Sequence, residues 1–281
     1  MNYCNKAKMY FYSSLALSVI TTALYVICSL IAFDANIGYF STRSPLPFVA
    51  KYLIVFNIIW IVSMLVFIPA GKLSQHYPNY STASRITSAI VFAGFVFYVI
   101  TRLLPIATHQ IAATPLFLIC TLAAVVSSII FLFNVIRPTV YSNRRSILTV
   151  PIILWATLSM TEAYSNQFVT MNNPFKIMLM MSMISIMLFS LYEARYLSGY
   201  PYPRAYAASL LISICVSSVF SVTFIVLLLT GTYSISSFIP TAILSLTFTA
   251  HQISRAFDFL RAQSICPEEN EIINDSCETN E

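Results

Sequence analysis

Residues 174–204 read PFKIMLMMSMISIMLFSLYEARYLSGYPYPR. A proline, an aromatic and a lysine open an apolar run, and a turn of Gly199, Tyr200, Pro201, Tyr202 and Pro203 closes it. The run from Ile177 to Leu191 does not alternate polar with apolar residues, as a transmembrane strand would. An apolar stretch of about 20 residues spans a hydrocarbon core at 1.5 Å per residue, and as a helix it satisfies its own amides in lipid. The stretch reads as one membrane-crossing helix with its exit turn.

The rest of the chain follows the same rule. Of 281 residues 58% are hydrophobic and 9% charged, with a mean hydropathy of +0.79, against roughly 25% charged in soluble domains. Apolar runs recur at about 11–33, 48–70, 86–104, 115–136, 147–166, 176–197, 206–229 and 238–259. These predict an all-α, polytopic integral membrane protein with about eight transmembrane helices. The first run is longer than the roughly 7–15 apolar residues of a signal peptide and reads as a retained helix.

The division is a short start over 1–10, a membrane half over 11–137, a basic loop over 138–146, a second half over 147–261 and a tail over 262–281. Six of the ten acidic residues lie in the last fourteen positions, and the tail has no helical stripe, so disorder is expected there. The positive-inside rule supports eight crossings with both termini cytoplasmic in a plasma membrane. Eleven of the fifteen Lys and Arg residues then fall on the cytoplasmic side, and Arg43, Lys51, Arg102 and Lys176 on the other.

Residues 47–78, PFVAKYLIVFNIIWIVSMLVFIPAGKLSQHYP, resemble the opening stretch. Lys51 and Lys176 are 125 apart, Ala70 and Ala194 are 124, Pro78 and Pro201 are 123, and Pro115 and Pro240 again 125. Two readings stand level. Either the chain holds two parallel four-helix repeats, with a site expected at their interface, or helix ends simply draw on the same residues.

Charges inside apolar runs are costly and are candidates for function. Arg102 and Glu162 fall at similar depth, which permits an ion pair, in a vestibule that Asp34, Lys51 and His109 would share. Snorkelling to headgroups is the simpler account of Lys51. Thr247, His251, Ser254 and Asp258 share one helix face, with Arg255 beside them; the bland account pairs Arg255 with Asp258 at the interface and leaves His251 as a hydrogen-bonded core residue. Glu162, Arg102 and His251 form the candidate intramembrane polar site. Arg137, Arg144, Arg145, Arg195 and Arg204 are candidate contacts for anionic headgroups or a protein partner, and Glu193 is placed beside Arg195 at the same interface. Asn57 reads as glue between helices.

No H-E-x-x-H occurs, five glycines do not make a phosphate loop, and three scattered histidines suit neither haem nor metal, so no cofactor, metal or catalytic residue is assigned. G-x-x-x-G pairs are absent, so helix packing must use Ala, Ser and Thr. The basic excess lies at helix ends, which argues for lipid and against nucleic acid. Cys28, Cys120 and Cys215 read as core residues, and no structural disulfide is expected. A permease for a small solute or ion, or its membrane subunit, leads; a scaffold or sensor acting through partner proteins is the alternative. An intramembrane enzyme ranks third, for want of a second catalytic group.

Overall fold

Caps and stops written into the sequence set most of the helix ends. The computed structural model describes residues 3–34, 38–41, 44–68, 73, 78–108, 114–137, 143–167, 169–232 and 236–278, with side chains in all of these but 3–7, 64, 143–145, 236 and 264–278. Nine helices occur among them: α1 (Tyr3–Ala32), α2 (Leu46–Phe67), α3 (Thr82–Ala107), α4 (Pro115–Ile136), α5 (Asn143–Leu148), α6 (Val150–Ser165), α7 (Pro174–Leu197), α8 (Pro203–Leu229) and α9 (Ile239–Glu278). Ser81, Thr114 and Asn173 cap α3, α4 and α7 by accepting from the first-turn amides of Ser84, Phe117 and Phe175. Pro115, Pro174 and Pro203 each open a helix where no amide donor is needed. At the end of α7 the chain turns through Gly199 (φ 80°), and the Tyr200 amide donates back to the Arg195 carbonyl at 3.1 Å. That left-handed turn is the one a glycine permits at low cost.

Among the described residues, seven helical spans are long and apolar enough to cross a membrane, one of them running over α5 and α6 as Ser146–Ser165. The eighth expected crossing, α9, is long enough but too polar in its own right. Thr241, Ser245, Thr249, His251, Gln252, Ser254, Arg255 and Asp258 on it are all buried. α3 and α8 pack along it and hold its polar face inside protein. α9 also departs from expectation at its far end. It runs on to Glu278, into the acidic segment expected to be irregular, since no glycine after Phe259 supplies a stop.

The fifth expected crossing divides into α5 and α6 near Pro151, which has no amide to donate. A two-residue hairpin, β1 (Phe33–Asp34) with β2 (Tyr39–Phe40), follows α1 and was not anticipated. Gly38 (φ 75°) closes its turn, and the Asn173 amide donates to the Gly38 carbonyl at 3.1 Å.

Helix packing uses hydroxyls in place of glycine, as expected. Ser209, Ser213, Ser217 and Ser221 repeat every four residues down α8, all buried. Ser182 of α7 donates to Ser217 at 3.1 Å and shares a hydrogen bond with Ser245 of α9 at 2.9 Å, while Gln252 donates to Ser213 at 2.7 Å. Asn57 is the expected glue: its amide reaches Ser18 at 3.0 Å and Cys215 at 3.1 Å, tying α2 to α1 and α8. Cys28, Cys120 and Cys215 are buried free thiols.

The two halves of the chain pack differently. α7 lies along α8, whereas α2 and α3, their counterparts at the 125-residue offset, share no such face. Instead α2 packs on α1 and α8, and α3 on α4 and α9.

Candidate functional site

Two clusters of charged groups lie at two levels between α3, α4, α6, α7 and α9. At the first level, Arg102 of α3 meets Glu162 of α6 in a two-pronged ion pair, with both N···O distances 2.8 Å. The remaining donors of Arg102 reach the Tyr98 hydroxyl at 2.9 Å, the Thr121 hydroxyl at 3.1 Å and the Phe117 carbonyl at 3.5 Å. All five N–H groups are therefore engaged, and the guanidinium also lies 3.9 Å from the Phe117 ring centroid. Glu162 is less enclosed, at 32% side-chain exposure against 11% for Arg102. Two adjoining cavities of about 460 and 390 Å³ open on this pair, one bordered by Ser159, Asn166 and Thr241, the other by Thr101 and Pro240.

At the second level, Arg255 of α9 is wholly buried between Glu193 of α7 and Asp258, each at 3.2 Å. Asp258 also accepts from the Ser84 hydroxyl at 2.5 Å and the Ser81 amide at 3.3 Å. Arg255 donates to the Pro78 carbonyl at 3.2 Å and lies 4.1 Å from the Tyr80 ring centroid. Among the described residues, this cluster holds two carboxylates and one guanidinium. A small cavity of about 50 Å³ adjoins it, lined by Glu193, His251, Tyr80, Asn134, Thr149 and Ser190 among others. That is room for a very few waters or one small ion.

Four buried rings separate the two levels: Phe95, Phe131, Trp155 and Phe248. Trp155 stacks on Phe248 at 5.8 Å with an interplanar angle of 3°, and Phe95 meets both edge-on at 5.1 and 5.7 Å. Phe131 joins the layer to His251 at 5.5 Å. Along α9, Thr241 borders the first level and His251 the second, about 15 Å apart at 1.5 Å per residue.

The structure thus brings Arg102 and Glu162 together and places His251 elsewhere, with the Glu193 cluster. His251 lies on the expected stripe, which faces α3: Thr247 packs against Gly94, His251 Nδ1 lies 3.3 Å from Thr87, and Ser254 shares a 2.7 Å hydrogen bond with Ser84. Lys51 borders a separate cavity, and His109 lies outside the described residues. Lys176, its partner in the offset pattern, is buried and donates to the Asn166 and Val169 carbonyls at 2.8 and 3.1 Å.

Two interfacial readings need correction. Glu193 pairs inward with Arg255, not with its sequence neighbour Arg195, because its position on α7 faces α9. Arg255 and Asp258 do pair, yet deep inside protein and not among headgroups. Of the candidate headgroup or partner contacts, Arg204 turns inward and donates to the Leu65 and Ile68 carbonyls at the end of α2, at 2.8 and 3.0 Å. Arg195 is exposed and lies over the Tyr202 ring, Arg137 is exposed where α4 ends, and the side chains of Arg144 and Arg145 lie outside the described ones. The aromatic layer escaped the sequence reading, although Ile152, Trp155, Ser159 and Glu162 fall on one face of α6 at helical spacing.

The fold defines a polytopic helical integral membrane protein. No family model, curated protein or solved structure matches the chain.

Proposed function

We propose that the protein is a permease for a small cation, or the membrane subunit of one. The observation that carries this reading is the pair of polar levels between the same helices, closed from each other by a single aromatic layer. Such an arrangement is an occluded path: each level offers ligand groups, and the rings block passage between them. Charge supports a cation. Arg102 has every donor engaged, so the acceptor capacity left at the first level belongs to Glu162. At the second level Glu193 lines the small cavity, so a carboxylate borders the space there as well.

The test is flux. Purified protein in liposomes should dissipate an imposed Na⁺, K⁺ or H⁺ gradient, read by an ion-sensitive dye, faster than protein-free liposomes. Glu162→Gln and Glu193→Gln should each slow it about tenfold, equivalent to ~1.4 kcal/mol on the barrier. Flux equal to that of protein-free liposomes for all three ions would remove the reading. The scaffold or sensor alternative is favoured by one observation, the pairing of both buried guanidiniums with carboxylates, and it predicts that null flux.

A further inference from the structure

A further cavity lies away from these two levels. It opens between the first turns of α2 and α7, two helices that do not pack along each other. Its volume is about 380 Å³, and Lys51 is the only charged residue lining it among the described residues. Ile54, Ile177 and Met178 make an apolar floor. Tyr25, Tyr39, Phe40 and Phe48 form an aromatic wall, and the Asn172 amide stands at the mouth. The hairpin roofs it: the Tyr39 hydroxyl is anchored to Thr170 at 3.0 Å, and Phe40 packs edge-on against Tyr25 and Phe33 at 5.8 and 5.6 Å. The wall is therefore held in place without any occupant.

We infer that this cleft binds one molecule of an anionic glycerophospholipid, with its phosphate on Lys51 and an acyl chain between α2 and α7. The reasons are chemical. A lysine at a helix end within an aromatic girdle sits at headgroup depth, with its alkyl stem along apolar surface and its ammonium free for a phosphate. Among the described residues no carboxylate lines the cleft to neutralise that ammonium. Below it the walls are apolar and the two helices stand apart, which suits a hydrocarbon chain and no polar solute. Lys176, at the matching position of α7, is turned onto backbone carbonyls and does not line the cleft, so among the described residues the positive charge comes from Lys51.

The proposal is tested by native mass spectrometry of the full chain in mild detergent, titrated in parallel with phosphatidylglycerol and phosphatidylcholine. One phosphatidylglycerol should be retained in preference to phosphatidylcholine. Lys51→Gln should lower its occupancy about fivefold, the effect of one basic residue near an anionic surface, and Lys51→Arg should keep it. Ile177→Trp, which fills the cleft and leaves the charge, should expel the lipid. Arg261→Gln, on an exposed residue of α9 away from the cleft, should change nothing. Equal retention of the two lipids, or unchanged phosphatidylglycerol binding in Lys51→Gln and Ile177→Trp, overturns the inference. Neither outcome depends on cation flux.

Discussion

Arg255 and Arg102 are both paired arginines inside the bundle, yet their surroundings give them different weight. Arg255 has no exposed surface and depends on Glu193 and Asp258; removing one partner of such a buried group leaves charge without compensation, which costs about 3–5 kcal/mol. Glu162 is a third exposed, so water compensates part of its loss, and Glu162→Gln should cost only about 1–2 kcal/mol. Thermal unfolding in detergent should therefore show a larger fall in midpoint for Glu193→Gln and Asp258→Asn than for Glu162→Gln. Equal falls would mean that the second cluster is better hydrated than its burial indicates. At this scale the sequence was half legible. Arg102 and Glu162 were matched by depth alone, since two charges at one level of a bundle have few other partners. Glu193 was misplaced because its position near a helix end suggested headgroups, and only the packing of α7 against α9 shows which way that end faces.

The polar helix α9 is tolerated only while its neighbours stay close, and closeness rests on small side chains. At Gly94 of α3 an added Cβ would come within 2.7 Å of the Thr247 hydroxyl and 3.2 Å of Leu244 on α9. Gly94→Ala should therefore destabilise the α3–α9 contact by about 1–3 kcal/mol, the usual cost of overpacking. Thr247→Ala removes the nearer atoms, so the double variant should recover much of that loss. A midpoint for the double variant equal to the sum of the two single effects would show that the helices do not meet there. Elements were the most legible level, since N-caps, N-terminal prolines and the Gly199 stop are local devices. α4 begins and ends where its apolar run does, at Pro115 and Ile136. The offset pattern was legible too, but matching sequence at helix ends does not set how the helices pack, and the two halves pack differently. Lys51 and Lys176 occupy matching positions and have unlike surroundings, because α2 lies at the edge of the bundle and α7 at its centre.

Across the whole molecule, the polar helix α9 is held along α3 and α8, and the charged groups beside it are divided by four rings. Those rings, not the ion pairs, are what separates the two ends on the permease reading. Trp155 is the central member: it touches Tyr98 on the first side and Phe248, a lining residue of the small cavity, on the second. Its indole nitrogen is buried with no hydrogen-bond partner, so the ring is held by packing alone. Trp155→Ala should leave a void bordered by Ser159 on one side and His251 on the other, wide enough for water to join the levels. Cation leak through proteoliposomes should then rise by about tenfold, or ~1.4 kcal/mol off the barrier. Trp155→Leu, which keeps more of the packing, should give a smaller rise in the same direction and guards against a variant that does not fold, since Trp→Ala in a core costs about 3–5 kcal/mol. Trp60→Ala, on α2 away from both levels, should not change the leak. If both Trp155 variants elute as folded protein and leak no more than the wild type, the aromatic layer does not close the path, and the two polar levels are separate structural clusters.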